Sequence, residues 1–219
     1  MQDKVKNWEE LCNDGDNYGG EGKDLSPKEK ILFESIKDKN VLKIQDAYLF
    51  SKTGKIEENH GPDLATMIAN FHFIQTISSI ILTHNHIGAE GMRILAASPF
   101  LPKVKDLHMG SNELGDEGAK IIAESEVFSE LTTLNLECNG ITAVGAKALA
   151  QSSVLTKVEY LNLVDNRVGD EGAFAIADSD NLSNLSYLHL GGNRVKSDEA
   201  KAALKNSPKL TQLEKLKVF

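Results

Sequence analysis

From Ile77 onward the chain switches repeatedly between two hydrophobic periods. The stretch "LTTLNLECNGITAVGAKALA", residues 131–150, opens with leucines spaced by three and then two. It then reaches Asn139, turns at a glycine, and closes with apolar residues at helical spacing. Alternation with period two predicts a short strand with Leu134 and Leu136 on one side. The second half predicts a helix that presents Ala146, Leu149 and Ala150 to the same interior. The pattern starts at Ile77, Val104, Leu131, Val158 and Leu185, each 27 residues after the last. A terminal strand-like piece, "LEKLKVF", begins at Leu213, 28 residues after Leu185.

A single unit of this kind cannot cover its own apolar side, so the units are expected to stack into one continuous core. Asn85, Asn112, Asn139, Asn166 and Asn193 recur where each strand bends into a turn. A turning backbone loses its ladder partners, and its buried amides and carbonyls must be satisfied some other way. Asparagine carries both a donor and an acceptor, so stacked copies can bond the turns of adjacent units. These five residues are therefore read as a structural ladder. Gly91, Gly118, Gly145 and Gly172 recur at the start of the helices, where the missing side chain is expected to let helix and strand layer approach.

The repeats span 77–219. Before them the strand pattern fades, although "GPDLATMIANF" still reads as a helix one period ahead of the next. Residues 26–76 are read as a helical cap with a degenerate first unit. "NVLKIQDAYL" would be its irregular strand and "SKTGKIEENHG" its enlarged loop. "SPKEKILFESIKDKN" offers Ser26 as N-cap, Pro27 at the first helical position and Glu29 three residues after the serine. Residues 1–25 are read as a flexible segment. At the far end Lys196 replaces a turn glycine, and Lys215 and Lys217 alternate with apolar residues, a pattern that blunts a sheet edge.

Composition changes this picture little. Hydrophobic residues at 41% and charged residues at 26% suit a globular chain with a core. The net charge of −8 argues against non-specific binding to nucleic acid or anionic lipid. No apolar run reaches the length of a membrane span, so no membrane insertion is expected. The two cysteines, Cys12 and Cys138, are far apart and read as free thiols of a reducing cytoplasmic compartment, with Cys138 partly buried.

Candidate metal chemistry is incomplete. The run from Asn13 to Asp24 places Asp14, Asp16 and Tyr18 at calcium-loop spacing, but Leu25 stands where a bidentate carboxylate is required. His84 and His86 form an H-x-H pair without a third ligand in the motif. No nucleophile elbow, phosphate-binding loop or paired CxxC is present in the sequence. No cofactor and no catalytic residue are assigned.

The strand face is the stronger candidate. Third, fifth and seventh positions of neighbouring units fall side by side at about 4.8 Å. They bring together Asp106, His108, Asn135, Glu137, Tyr160, Asn162, Tyr187 and His189. Adjacent aromatics in polar surroundings are typical of a protein-binding hot spot. The same pair could instead serve only as a lateral contact that supports the sheet.

The unit, with "GDEGAKIIA" or "AVGAKALA" after the asparagine, resembles the leucine-rich repeat, and within it the ribonuclease-inhibitor-like subfamily. The resemblance implies an α/β leucine-rich-repeat solenoid. Such a solenoid is a short right-handed arc with parallel strands on the concave face and helices on the convex face. It implies a non-enzymatic, monomeric module that binds a partner protein through the concave face. Short members of this kind occur among effectors that bacterial pathogens inject into host cells. That implies a host protein as partner and translocation without a conventional signal peptide. Two alternatives remain open at this point. One is a regulator of small GTPases, as some members are; the other is a metal-dependent protein using the His84/His86 region with His108.

Overall fold

The protein is described by a computed structural model covering residues 41–44, 60–71, 74–75, 77–101 and 104–219. The expected flexible segment 1–25, the expected capping helix after Ser26 and most of the enlarged loop lie outside these residues. Strand and helix alternate throughout: β1 (Val41–Lys43), α1 (His60–Ala69), β2 (Ser79–Ile81), α2 (Gly88–Ala96), β3 (Asp106–His108) and α3 (Gly115–Glu124). They continue with β4 (Thr133–Asn135), α4 (Ala143–Ala150), β5 (Tyr160–Asn162), α5 (Gly169–Ala177), β6 (Tyr187–His189), α6 (Asp198–Lys205) and β7 (Lys215–Lys217). Among the described residues seven strands form one parallel sheet whose order is the order of the chain. This is an α/β leucine-rich-repeat solenoid.

The register follows the repeat. Leu107 pairs with Leu134, Leu134 with Leu161 and Leu161 with Leu188. Each of these leucines is buried, because the central residue of every three-residue strand points into the core. Ala146, Leu149 and Ala150 close that core from the helix side. The degenerate first unit keeps the register but not the length. Val41 pairs with Ser79, 38 positions on (79 − 41), so its extra residues fall between strand and helix.

The five asparagines form the expected ladder, and all are buried. Asn139 Nδ2 donates to the carbonyls of Met109 (2.9 Å) and Glu137 (3.0 Å). Its Oδ1 accepts from the amides of Asn112 (3.1 Å) and Leu114 (3.2 Å) in the preceding unit. Each side chain thus binds its own turn to the turn before it.

A second column runs along the far end of the helices. Ser98, Ser152, Ser179 and Ser207 donate to the last carbonyls of the preceding helix, at Ala69, Ala123, Ala150 and Ala177, over 2.5–2.6 Å. Their hydroxyl oxygens accept amides two and three residues on, as Ser152 does from Val154 and Leu155. Terminal helix carbonyls lack intrahelical partners, and this column supplies them.

Helix starts are built in two ways. Gly88, Gly115 and Gly169 reach α2, α3 and α5 through left-handed backbone at φ of 58–62°. At α4 and α6 the same position holds Thr142 and Lys196, and a carboxylate from the preceding helix caps the turn. Asp116 accepts from the Thr142 amide (2.7 Å), the Thr142 hydroxyl (2.6 Å) and the Gly145 amide (2.9 Å). Asp170 accepts from the amides of Lys196 (2.7 Å) and Ser197 (3.2 Å), and these bonds hold its carboxyl below the ordinary carboxylate value.

The glycines inside the helices act differently from the expectation. A Cβ on Gly172 would lie 2.5 Å from Val168 Cγ1 and 3.1 Å from Ala146 Cβ. The close approach is therefore to the unit's own turn residue and the neighbouring helix, rather than to the strand layer.

Candidate protein-binding face

Third and fifth strand positions, together with the seventh position just beyond each strand, line one face of the sheet. Pairing sets Asp106 beside Thr133, Thr133 beside Tyr160 and Tyr160 beside Tyr187. In the next row His108, Asn135, Asn162 and His189 are consecutive neighbours. The face thus joins all eight residues singled out from the sequence, since Glu137 follows β4 by two residues and bonds to Asn162.

Its centre is aromatic. Tyr160 and Tyr187 stack with ring centroids 4.3 Å apart and planes 5° from parallel. His189 meets the Tyr187 ring edge-on, with centroids 6.2 Å apart and planes at 85°. On the terminal strand, Lys217 Nζ stands 5.8 Å from the Tyr187 ring centroid, within cation–π range. Both tyrosines are half-buried, so the stack is supported from the sides while part of each ring remains accessible.

Polar neighbours hold fixed positions around the rings. Asn162 Nδ2 donates to Glu137 Oε2 at 3.0 Å, and Asn162 Oδ1 accepts the Val164 amide at 3.0 Å. Asn162 is only 6% exposed, so it positions Glu137 more than it presents itself. Asn135 likewise spends its carbonyl on the Glu137 amide at 3.1 Å. Gly110 leaves room for the Glu137 side chain, since a Cβ there would lie 2.8 Å from Glu137 Cγ. Asp106, His108 and Glu137 are half-buried and reach solvent.

The electrostatics follow from this packing. Partial burial, then the adjacent Tyr187 and the Glu137 carboxylate, raise the Tyr160 phenol above its usual pKa. Burial and the Lys217 ammonium lower the His189 imidazole, against the opposing pull of Asp165 and Glu137. Loss of the neutral form on acidification therefore costs more at His189 than at a free imidazole.

The other candidates sit elsewhere. His84 and His86 flank the ladder residue Asn85, both in left-handed backbone at φ of 59° and 50°, and both are exposed. His86 Nδ1 bonds Glu113 Oε1 at 2.7 Å. Among the described residues no group of three or more His, Cys, Asp or Glu side chains could hold a metal ion. Cys138 is a free thiol but is exposed rather than partly buried, because its φ of 53° directs the side chain outward beside the ladder. Sequence reasoning missed the Glu137–Asn162 bond and the lysine over Tyr187. The only signal for either was the vertical adjacency of units.

No helix among the described residues is long and apolar enough to cross a membrane. Comparison with known families finds the description "Leucine Rich repeat" at residues 74–96, 100–123, 130–150 and 154–177. These four segments match the leucine-rich repeat, and the fifth unit continues their register beyond the matched residues. No curated protein matches the chain. Among solved structures, an internalin from Listeria monocytogenes strain 4b F2365 is similar, with a TM-score of 0.44 and 19% identity. That alignment covers 68% of this chain and 36% of the internalin.

Proposed function

We propose that this leucine-rich-repeat solenoid binds a partner protein through the half of its strand face centred on Tyr160 and Tyr187, and that it does so without catalysis. One observation carries the reading. Two rigid rings stacked 4.3 Å apart stay partly accessible on a surface walled by His189, Lys217 and Glu137. Aromatic side chains offer large contact area at low entropic cost, and polar neighbours that hold fixed positions form the rim such a centre uses. Asp106, His108 and Asn135 would extend the contact along the preceding strands.

The finer reading rests on the resemblance to short ribonuclease-inhibitor-like members. The chain would act as a monomeric effector, delivered into a host cytosol, and its partner would be a host protein. Affinity capture from host lysate, comparing wild type with Tyr187→Ala, supplies a partner for measurement. Tyr160→Ala and Tyr187→Ala should each then weaken binding by about 2 kcal/mol, while Lys120→Ala on the helix face should leave it unchanged. Circular dichroism on the same variants separates lost contact from lost folding. Loss of binding in Lys120→Ala alone would place the partner on the helix face.

A further inference from the structure

The helix face carries a repeating charge pattern with two breaks in it. One exposed helix position, recurring every 27 residues, holds Glu90, Glu117, Val144, Glu171 and Asp198. Three residues later the same five helices hold Arg93, Lys120, Lys147, Phe174 and Lys201. Acid and base at this spacing pair along a helix. Arg93 binds Glu90 in α2 and Lys201 approaches Asp198 at 3.6 Å in α6. Arg93 also bridges to Glu117 of the next helix at 3.2 Å.

The pattern fails once in α4 and once in α5, and on opposite members of the pair. Val144 replaces the acid and Phe174 replaces the base. Both are exposed, at 69% and 43%. Among the described residues the only other exposed large hydrophobic residue is Phe219, at the end of the chain. Val144 and Phe174 line one groove of about 1200 Å³ that also takes in Ala175, Ala203 and Pro208. Its ionisable lining is three carboxylates, Glu171, Asp178 and Asp180, against the single amine of Lys147. Lys209 pairs with Asp180 and also attracts Asp178, while Glu171 forms no ion pair among the described residues. Glu171 has lost the base that Glu90 and Asp198 keep.

We propose that this groove is a second docking site, separate from the strand face, and that its occupant is a cationic amphipathic helix of a partner protein. Apolar residues of the occupant would cover Val144 and Phe174. Its lysines or arginines would supply Glu171 with the cation that the repeat supplies elsewhere and would join Lys209 at Asp178. A helix is about 10 Å across, so a short amphipathic helix of about four turns can lay its apolar face along the groove. The net charge of the chain, −8, likewise favours a cationic partner.

The test uses a 14-residue peptide of leucine and lysine with leucines at helical spacing, a twin with glutamate for lysine, and the full chain. The double variant Val144→Glu/Phe174→Lys restores the pattern of the other units, adds one acid and one base, and so keeps net charge and fold. Wild type should bind the lysine peptide at least tenfold more tightly than the double variant does, and at least tenfold more tightly than it binds the glutamate twin. Tyr160→Ala/Tyr187→Ala should bind the lysine peptide like wild type, even if the strand-face reading fails. Equal affinity for both peptides, or undiminished affinity in Val144→Glu/Phe174→Lys, overturns the proposal. So does a wild-type dimer in sedimentation that the double variant abolishes, because a second copy would then own the groove.

Discussion

The turn after each strand and the start of each helix solve related problems under different constraints. Both must satisfy backbone groups that regular structure leaves unpaired. In the turn all five units use asparagine, fully enclosed, each tying its own turn to the one before. At the helix start the units use two devices: a left-handed glycine, or a carboxylate lent by the preceding helix. The difference follows access to water. An amide left unpaired in the turn costs its full desolvation, and few side chains supply donor and acceptor at once. At the helix start solvent backs up a missing partner, so more than one chemistry is tolerated.

Substitutions can test that contrast in order of size. Asn139→Ala strips two donors and one acceptor from an enclosed site and should lower stability by about 1–3 kcal/mol in denaturant titration. Ser152→Ala, which orphans the buried Ala123 carbonyl, should cost about 1–2 kcal/mol by the same measurement. Asp116→Ala removes a cap that water can partly replace and should cost about 1 kcal/mol. Thr132→Ala, an exposed hydroxyl with a 3.3 Å bond, should stay within about 0.5 kcal/mol of wild type. If Asp116→Ala proves as costly as Asn139→Ala, access to water is not what separates the two places.

The smallest effect is the most specific. Asp170 has a folded pKa below its ordinary value, so the stability it lends is present at neutral pH. That stability is lost as pH falls through the folded value. In an acid titration followed by helical circular dichroism, Asp170→Asn should flatten this part of the profile. An unchanged acid profile in Asp170→Asn would show that the carboxylate does not cap α6.

Most of the scaffold was legible because it repeats. Period two then period 3.6, with Asn at each change, dictates strand, buried turn and helix, and the 27-residue interval sets which residues are neighbours. That interval also placed Tyr160 beside Tyr187, though not ring against ring. The serine column recurs at the same interval from Ser98 to Ser179 and could have been read the same way; its polar residues pass for ordinary loop. The Asp116 and Asp170 caps were hidden because they serve only alternate units and reach 26 residues ahead. Exposure of Cys138 goes with left-handed backbone shared by His84, Ser111, Asp165 and Gly192 at the same repeat position, and only Gly192 signals it by residue type. In the degenerate first unit the interval itself is broken; a strand was expected within "NVLKIQDAYL", and pairing with β2 fixes its register at Val41–Lys43.

Because strand order copies chain order, every unit grips only the one before and the one after. A pull on the two ends is therefore carried in series through each inter-unit contact and is never shared between them. In a force-extension experiment the weakest junction yields first, and each further unit releases about 90 Å of chain as it unravels. The trace would be a staircase rather than a single rip. Its tallest steps would mark the two junctions where the turn and serine columns and a borrowed carboxylate act together, between the second and third units and between the fourth and fifth.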